Sequence, residues 1–182
     1  SSASVYLALA GIGKISICDF DVIEMTNLNR QFLHNDLRIG KSKAYSAKAT
    51  LEKLNKNVEV IPLAEKIDES SVSDIIGECD VIVDCLDNFE TRFVINKYAV
   101  TKKIPLVFGA IYGFEGQVSF ILHPETFCLA CLFEGTPPKE TLPVAGVTPG
   151  VIGTLQAAEV IKYLTKTGEN LKNKLLIWDG LK

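Results

Sequence analysis

The chain has 182 residues, 47% of them hydrophobic and 23% charged, with 19 basic side chains against 22 acidic ones. That length suits one domain, spanning 1–182, with a sizeable core, and a net charge of −3 excludes a broad basic surface for nucleic acid. No apolar run approaches the roughly 20 residues that cross a bilayer, and no segment reads as a secretory leader, so no membrane role is expected.

In chain order, "SSASVYLALA" is expected to be helical from about Ser2 to Ala10, followed by a strand from Lys14 to Phe20 and then a polar loop. Helices are expected over Lys41–Leu54, Glu69–Gly77 and Glu90–Lys102. Strands are expected over Val58–Leu63, Asp80–Cys85 and Leu106–Phe108. The strands are short, rich in Val and Ile, and alternate with helices, which is the signature of a Rossmann-like α/β fold: a mainly parallel sheet with helices on both faces. From Gly109 the glycine spacing becomes hairpin-like with no long helix between strands, so an antiparallel extension is expected. "EGTPPKETLPVAGVTPG" reads as a loop. "VIGTLQAAEVIKYL" reads as a helix apolar on more than one face, buried in the core or a subunit interface, and "LLIWDG" as a closing strand.

The sequence carries five cysteines, an odd count without a disulfide framework, which favours a reducing, cytoplasmic compartment. Cys18, Cys79 and Cys85 lie in or beside strand-like runs and are expected to act as small hydrophobes.

Polar clusters stand at successive strand ends. Asp19 closes "ICDFD", where an acid in a nucleotide-binding fold takes ribose hydroxyls, although a turn aspartate explains it equally well. A glycine-rich phosphate turn would precede such an acid by about 20 residues, which places it immediately before Ser1, so the sequence is expected to open just after that turn. In "NLNRQFLHNDLRIGKSK", Arg30 and Lys43 offer a bidentate fork and a point charge, the pair that polyphosphate favours, with Asn27 and Gln31 as neutral donors. Lys43 opens a helix whose N-terminal amides also attract anions. The alternative is a solvated polar loop before a capped helix.

In "VIVDCLDNFETRF", Asp84 and Asp87 bracket a strand end, where a carboxylate beside a triphosphate is a natural magnesium ligand; the alternative is that Asp87–Asn88 caps the next helix. Cys128 and Cys131 in "FCLACLF" have the spacing of half a tetrahedral zinc site, or of a redox pair, or of two buried thiols.

Together, "AGIGKISICDFDVIEMTNLNRQFLHNDLRIGKSKA", "DCLDNFETR", "GAIYGFEGQV", "CLACLF" and "TPGVIGTLQAAEVIKYL" resemble the ThiF/MoeB family, the adenylating enzymes related to ubiquitin-activating enzymes. The resemblance implies a homodimeric adenylyltransferase that uses ATP and magnesium. Such enzymes activate the C-terminal glycine carboxylate of a small ubiquitin-like sulfur-carrier protein, at its Gly-Gly tail, for molybdopterin, thiamin or related sulfur transfer. It implies ribose binding by Asp19 and nucleotide contacts from Thr26, Asn27, Leu28, Asn29 and Arg30, with Gln31 adjacent. It also implies triphosphate contact by Lys43, magnesium association at Asp87 with Asn88 beside it, and a zinc pair in Cys128 and Cys131. The family's glycine-rich turn and second zinc pair are not found in this sequence, and the loop cysteine of several members has no counterpart in "PPKETLPVAGVTPG". Other readings are a non-catalytic family scaffold, a relative that adenylates a tRNA base, and a dehydrogenase, the last of which leaves Arg30 and Lys43 unexplained.

Overall fold

The structure, a computed structural model, describes residues 1–133, 135 and 144–182, so most of the Pro/Gly/Thr-rich loop lies outside the described residues. Helices are α1 (Ser2–Leu9), α2 (Lys43–Leu54), α3 (Val72–Ile76), α4 (Phe89–Lys102), α5 (Leu129–Leu132) and α6 (Val147–Thr165). Strands are β1 (Lys14–Cys18), β2 (Glu59–Leu63), β3 (Ile82–Val83), β4 (Leu106–Tyr112), β5 (Glu115–Ile121) and β6 (Leu176–Asp179). Short 3-10 turns, Met25–Asn27 and Asp36–Arg38, punctuate the long connection from β1 to α2.

Hydrogen bonding joins β1 to β2 in parallel, Lys14 opposite Glu59 and Cys18 opposite Leu63. A second sheet runs β3-β4-β5-β6, with β3 parallel to β4 and the last two pairings antiparallel. The antiparallel extension is thus a hairpin of β4 and β5 closed over Gly113, whose φ of 57° is open to a residue without a Cβ. β4 runs four residues beyond its expected end because "GAIY" forms an arm of that hairpin.

Side-chain alternation along β4 and β5 settles which helices cover which face. Leu106, Phe108 and Ile121 pack with Ile95 and Ala99 of α4 and Val72 of α3, whereas Val107, Val118 and Phe120 pack with Leu7 of α1 and with Ile152, Ala157 and Val160 of α6. Helices therefore cover both faces of the sheet. α2 closes a third cluster, its Ala47 and Leu51 packing against Val58 and Val60. Phe108 and Phe120 are fully buried, each contributing on the order of 1.5–3 kcal/mol.

Other boundaries move for local reasons. α6 begins at Val147, before the expected Val151, because Pro149 falls in the first turn, where a missing N–H breaks no helical bond. α2 begins two residues later than expected, since Gly40 at φ 81° and the bridge from Ser42 to Val22 belong to the preceding loop. The cysteine expectation needs correction: Cys79 and Cys85 are exposed and Cys18 is half-buried, because each stands at or beyond the end of its strand rather than within it.

Candidate functional site

Asp19 follows the last residue of β1 and receives the Asp21 N–H on Oδ1 at 3.0 Å, so it does close a turn. Its carboxyl is pushed up by burial; the Asp21 N–H and the Lys43 charge pull it down, and the Asp21 and Asp87 carboxylates push it further up. Asp19 at the end of β1 thus lies within electrostatic reach of the Lys43–Asp21 pair at the head of α2 and of Asp87 beyond β3.

Lys43 is the first residue of α2 and is buried. Its Nζ lies 2.8 Å from Asp21 Oδ2, and its own N–H donates to the Asp21 carbonyl at 3.0 Å. The side chain of Asp21 is 51% exposed, so the ammonium faces a half-open acidic rim. The pair also ties the start of α2 to the end of β1, fixing one edge of the site.

The segment before α2 is held mainly by its own polar groups. Asn27 is buried and its Oδ1 accepts the Glu24 N–H at 3.0 Å, so this side chain shapes the loop. Thr26 Oγ1 donates to Glu24 Oε2 at 3.4 Å, and Leu28 is half-buried. Arg30 Nη1 donates to the Thr26 carbonyl at 3.1 Å and to Asn29 Oδ1 at 2.9 Å, a pose that braces the guanidinium against the loop. Gln31 is different: its Oε1 is buried and has no partner among the described residues, as is Ser42 Oγ at the head of α2. Buried polar atoms left unpaired cost about 1–3 kcal/mol each, so both are candidates for a hydrogen bond that a ligand completes. Asn29 also lies under the start of α6, where Gly146 meets its carbonyl with no room for a Cβ.

His34, Arg38 and Lys41 stand apart from this acidic rim. His34 Nδ1 is 2.9 Å from Ser46 Oγ, and burial, then the nearby positive charges, push its imidazolium down to about 4. Arg38 Nη1 donates to Ser46 and Thr50 of α2.

On the far side, the two acids of "DCLDN" separate completely. Asp84 is fully buried, its Oδ1 accepting the Leu86 N–H at 3.0 Å and its Oδ2 lying 3.5 Å from Arg92 Nε. It is therefore out of reach of a solvent-side magnesium, and of the two acids that bracket this strand end only Asp87 faces solvent. Burial pushes Asp84 up to about 6, against the opposing pull of Arg92 and the Leu86 N–H. Asn88 caps α4, its Oδ1 accepting the Thr91 N–H at 2.9 Å. The capping function thus falls to Asn88, and among the described residues the exposed carboxylate of Asp87 has one hydrogen-bond partner, Asn88 Nδ2, at 3.5 Å.

No three acidic, thiol or imidazole groups gather closely enough to hold a metal among the described residues. Magnesium does not need them: it keeps several waters and binds through one or two carboxylates together with phosphate oxygens. One outward carboxylate suits that chemistry.

Cys128 and Cys131 flank the start of α5, with Sγ atoms 3.7 Å apart. Tetrahedral zinc with bonds of about 2.3 Å places two thiolates about 3.8 Å apart, so the pair fits one edge of such a site. Burial acts to raise the Cys128 thiol, but the Cys131 and Ala130 N–H groups, the Cys131 thiol and Asn96 outweigh it, and the net shift is downward. A thiol biased toward thiolate suits a metal ligand.

Asn96 and Gln156, which escaped the sequence reading, and Arg92, which stands close behind Asp87 and Asn88 in the sequence, are each buried and polar on a helix. Gln156 Nε2 donates to the Asp84 carbonyl at 2.6 Å and to the Val107 carbonyl at 3.2 Å, and Asn96 Oδ1 accepts the Leu129 N–H at 3.0 Å. The available signal was spacing: Asn88, Arg92 and Asn96 recur every fourth residue, placing a polar row on one helix face.

The chain is 42% identical over 182 residues to the SAMP-activating enzyme E1 of Haloferax volcanii, covering 97% of this chain and 67% of that protein. It is 38% identical over 183 residues to the adenylyltransferase and sulfurtransferase MOCS3 of Sus scrofa, covering 97% of this chain and 40% of that one. The fold matches the crystal structure of E. coli MccB with succinimide at a TM-score of 0.86 and 29% identity, covering 98% of this chain and 57% of that one. The chain thus spans between 40% and 67% of the length of these relatives. The ThiF family model matches residues 1–182, and the chain belongs to the ThiF family.

Proposed function

We propose that this chain carries out ATP-dependent adenylation of the C-terminal glycine carboxylate of a small ubiquitin-like sulfur-carrier protein, presented as a Gly-Gly tail. The observation that carries the reading is that Asp19, at the end of β1, stands within electrostatic reach of Lys43, at the head of α2, and of the solvent-facing Asp87 beyond β3. The names of the relatives, which speak of adenylyl transfer and activating enzymes, support it.

In this reaction a carboxylate oxygen of the carrier attacks the α-phosphorus of ATP, the bond to the bridging oxygen breaks, and pyrophosphate departs with the electron pair. The nucleophile is already an anion, so no side chain need take a proton, and catalysis consists of in-line positioning and charge neutralisation. Asp19 takes the ribose hydroxyls. Lys43 exchanges its contact with Asp21 for the phosphate oxygens, and Arg30 swings from Thr26 and Asn29 toward the same anion, with Thr26–Gln31 lining the nucleotide. Magnesium held at Asp87, with Asn88 beside it, supplies further neutralisation of the triphosphate. Zinc at Cys128 and Cys131 has a structural role, away from the reacting atoms.

The enzyme acts as a homodimer. An apolar hollow of ≈ 470 Å³, lined by Tyr6, Phe32, Val147, Val151 and Leu155, offers the face on which a second copy seats. The protein works in the cytoplasm, and among the described residues no helix is long and apolar enough to cross a membrane. A net charge of −3 weighs against a tRNA substrate.

The test is carrier-dependent ATP–pyrophosphate exchange with the full-length protein. Lys43→Ala and Asp87→Ala should each lower exchange by about 100-fold or more while leaving the fold intact, as expected for loss of a group that stabilises developing charge. Near-normal exchange in either variant refutes its assignment.

A further inference from the structure

We infer that Arg92 is a positioning residue for this reaction, locking the turn from Cys85 to Asn88 so that the Asp87 carboxylate stays aimed outward. The inference rests on the proposed role of Asp87 and goes beyond it, to what fixes that carboxylate in place.

Arg92 is buried, and its guanidinium lies 5.2 Å from the ring centroids of both Phe89 and Phe108. From that slot Nη2 donates to the carbonyls of Leu86 and Gly109, the latter at 2.9 Å. Asp84, its ionic neighbour, takes the N–H of the same Leu86. Both backbone polar groups of the residue preceding Asp87 are therefore gripped by one buried charge pair. On the other side, Asn88 is fixed by the Thr91 N–H. Asp87 thus stands between two anchored residues, with its carboxylate facing solvent and contacted among the described residues by Asn88 Nδ2 at 3.5 Å.

A purely stabilising role for the pair is a poor account of this arrangement. A buried ion pair contributes little net stability compared with apolar side chains of the same volume. Here Nε and Oδ2 stand 3.5 Å apart and neither has a hydrogen bond among the described residues, so the contact is not optimised for strength. What a guanidinium supplies and an ammonium does not is a planar group that stacks between two aromatic faces while its Nη2 donates to two carbonyls on different elements. Those carbonyls belong to the metal-side turn and to β4 beneath it.

Arg92→Lys in the full-length protein separates the readings, because it keeps the charge and removes the planar group stacked between Phe89 and Phe108. The readouts are exchange as a function of magnesium, Mn2+ binding by electron paramagnetic resonance in the presence of α,β-methylene-ATP, and the thermal midpoint. We expect a folded protein in which half-maximal exchange needs about 10-fold more magnesium and Mn2+ binds correspondingly weaker, the size typical of losing a supporting partner of a metal ligand. At saturating magnesium, kcat should recover to within about threefold of wild type, since the reacting groups themselves are intact. If Arg92→Lys does not fold, Phe89→Leu decides, because it loosens the slot while keeping an apolar residue; a smaller shift in the same direction is expected. Unchanged metal dependence in a folded Arg92→Lys, or in Phe89→Leu where the former is unfolded, overturns the positioning role. Asp87→Ala is run alongside: wild-type exchange there overturns the magnesium reading itself, whereas its loss together with an unaffected Arg92→Lys overturns only this inference.

Discussion

Replacing Asp84 by Asn should change how stability varies between about pH 4 and 6. Asp84 is fully buried, and burial raises its carboxyl from an ordinary 3.8 to about 6. A carboxyl whose pKa is higher folded than unfolded keeps a proton that the unfolded chain releases. Its stabilising contribution is therefore complete below pH 3.8 and is lost as pH rises through about 6. A shift of about two units corresponds to roughly 3 kcal/mol. His34 works in the opposite direction over an overlapping window. Burial first, and then the charges of Lys43 and Arg38, lower it from 6.5 to about 4, so its contribution is present above pH 6.5 and is lost as pH falls through about 4. The two titrations offset each other in the wild type. In Asp84→Asn the histidine titration is no longer offset by Asp84, and stability should climb more steeply with pH than in the wild type. Urea unfolding at half-unit pH steps, followed by fluorescence of the sole tryptophan, Trp178, reads this directly. The stability difference between wild type and variant should change by about 2–3 kcal/mol from pH 4 to 6. A difference constant to within about 1 kcal/mol refutes the reasoning, because burial would then not be controlling the proton on Asp84.

Cys128→Ser and Cys131→Ser should each abolish zinc binding, read as metal content after purification and dialysis, and lower the thermal midpoint. Zinc-free wild-type protein with an unchanged midpoint would remove the metal reading in favour of two plain thiols. Gly146→Ala should cost about 1–3 kcal/mol, since its Cβ meets the Asn29 carbonyl, a backbone atom that cannot rotate away. It should also raise the KM for ATP by displacing the segment that carries Arg30; a variant as stable and as tight for ATP as wild type refutes that packing link.

The sequence disclosed those features whose signals are local. Strands and helices were legible from period and composition, and so were the acid at the end of β1, the lysine at the head of α2 and the thiol pair around α5. What it could not disclose depends on partners distant in the chain. Asp84 and Asp87 look alike in "DCLDN", yet one sits beneath β4 with Arg92 and the other faces solvent. Only the pairing of β3 with β4, which brings Gly109 under the turn, separates them. The same holds for Gln156, 72 residues from the Asp84 carbonyl it supports. Cys85 looked like core material because its neighbours are apolar, but β3 ends before it, and its thiol reaches Gln156 Oε1 only at 3.7 Å.

α4 explains why the chemistry of two separate regions is carried by one short stretch. Its first turn is capped by Asn88 beside Asp87, its second carries Arg92, and its third carries Asn96, whose side chain holds the Leu129 N–H at the start of the cysteine turn. A row of polar side chains at every fourth residue would ordinarily mark a solvent face; here the row points inward, and Arg92 and Asn96 are buried. Burying such groups is costly unless each finds partners, and each does: a helix amide, two carbonyls and an α5 amide. The aromatic rings continue the connection, since Phe133, two residues past Cys131, packs at 5.3 Å on Phe89 and at 5.7 Å on Phe108, the rings that flank Arg92. The cysteine turn and the Asp87 turn are therefore braced by one helix and one aromatic cluster. Anything that orders the former also limits the freedom of the latter.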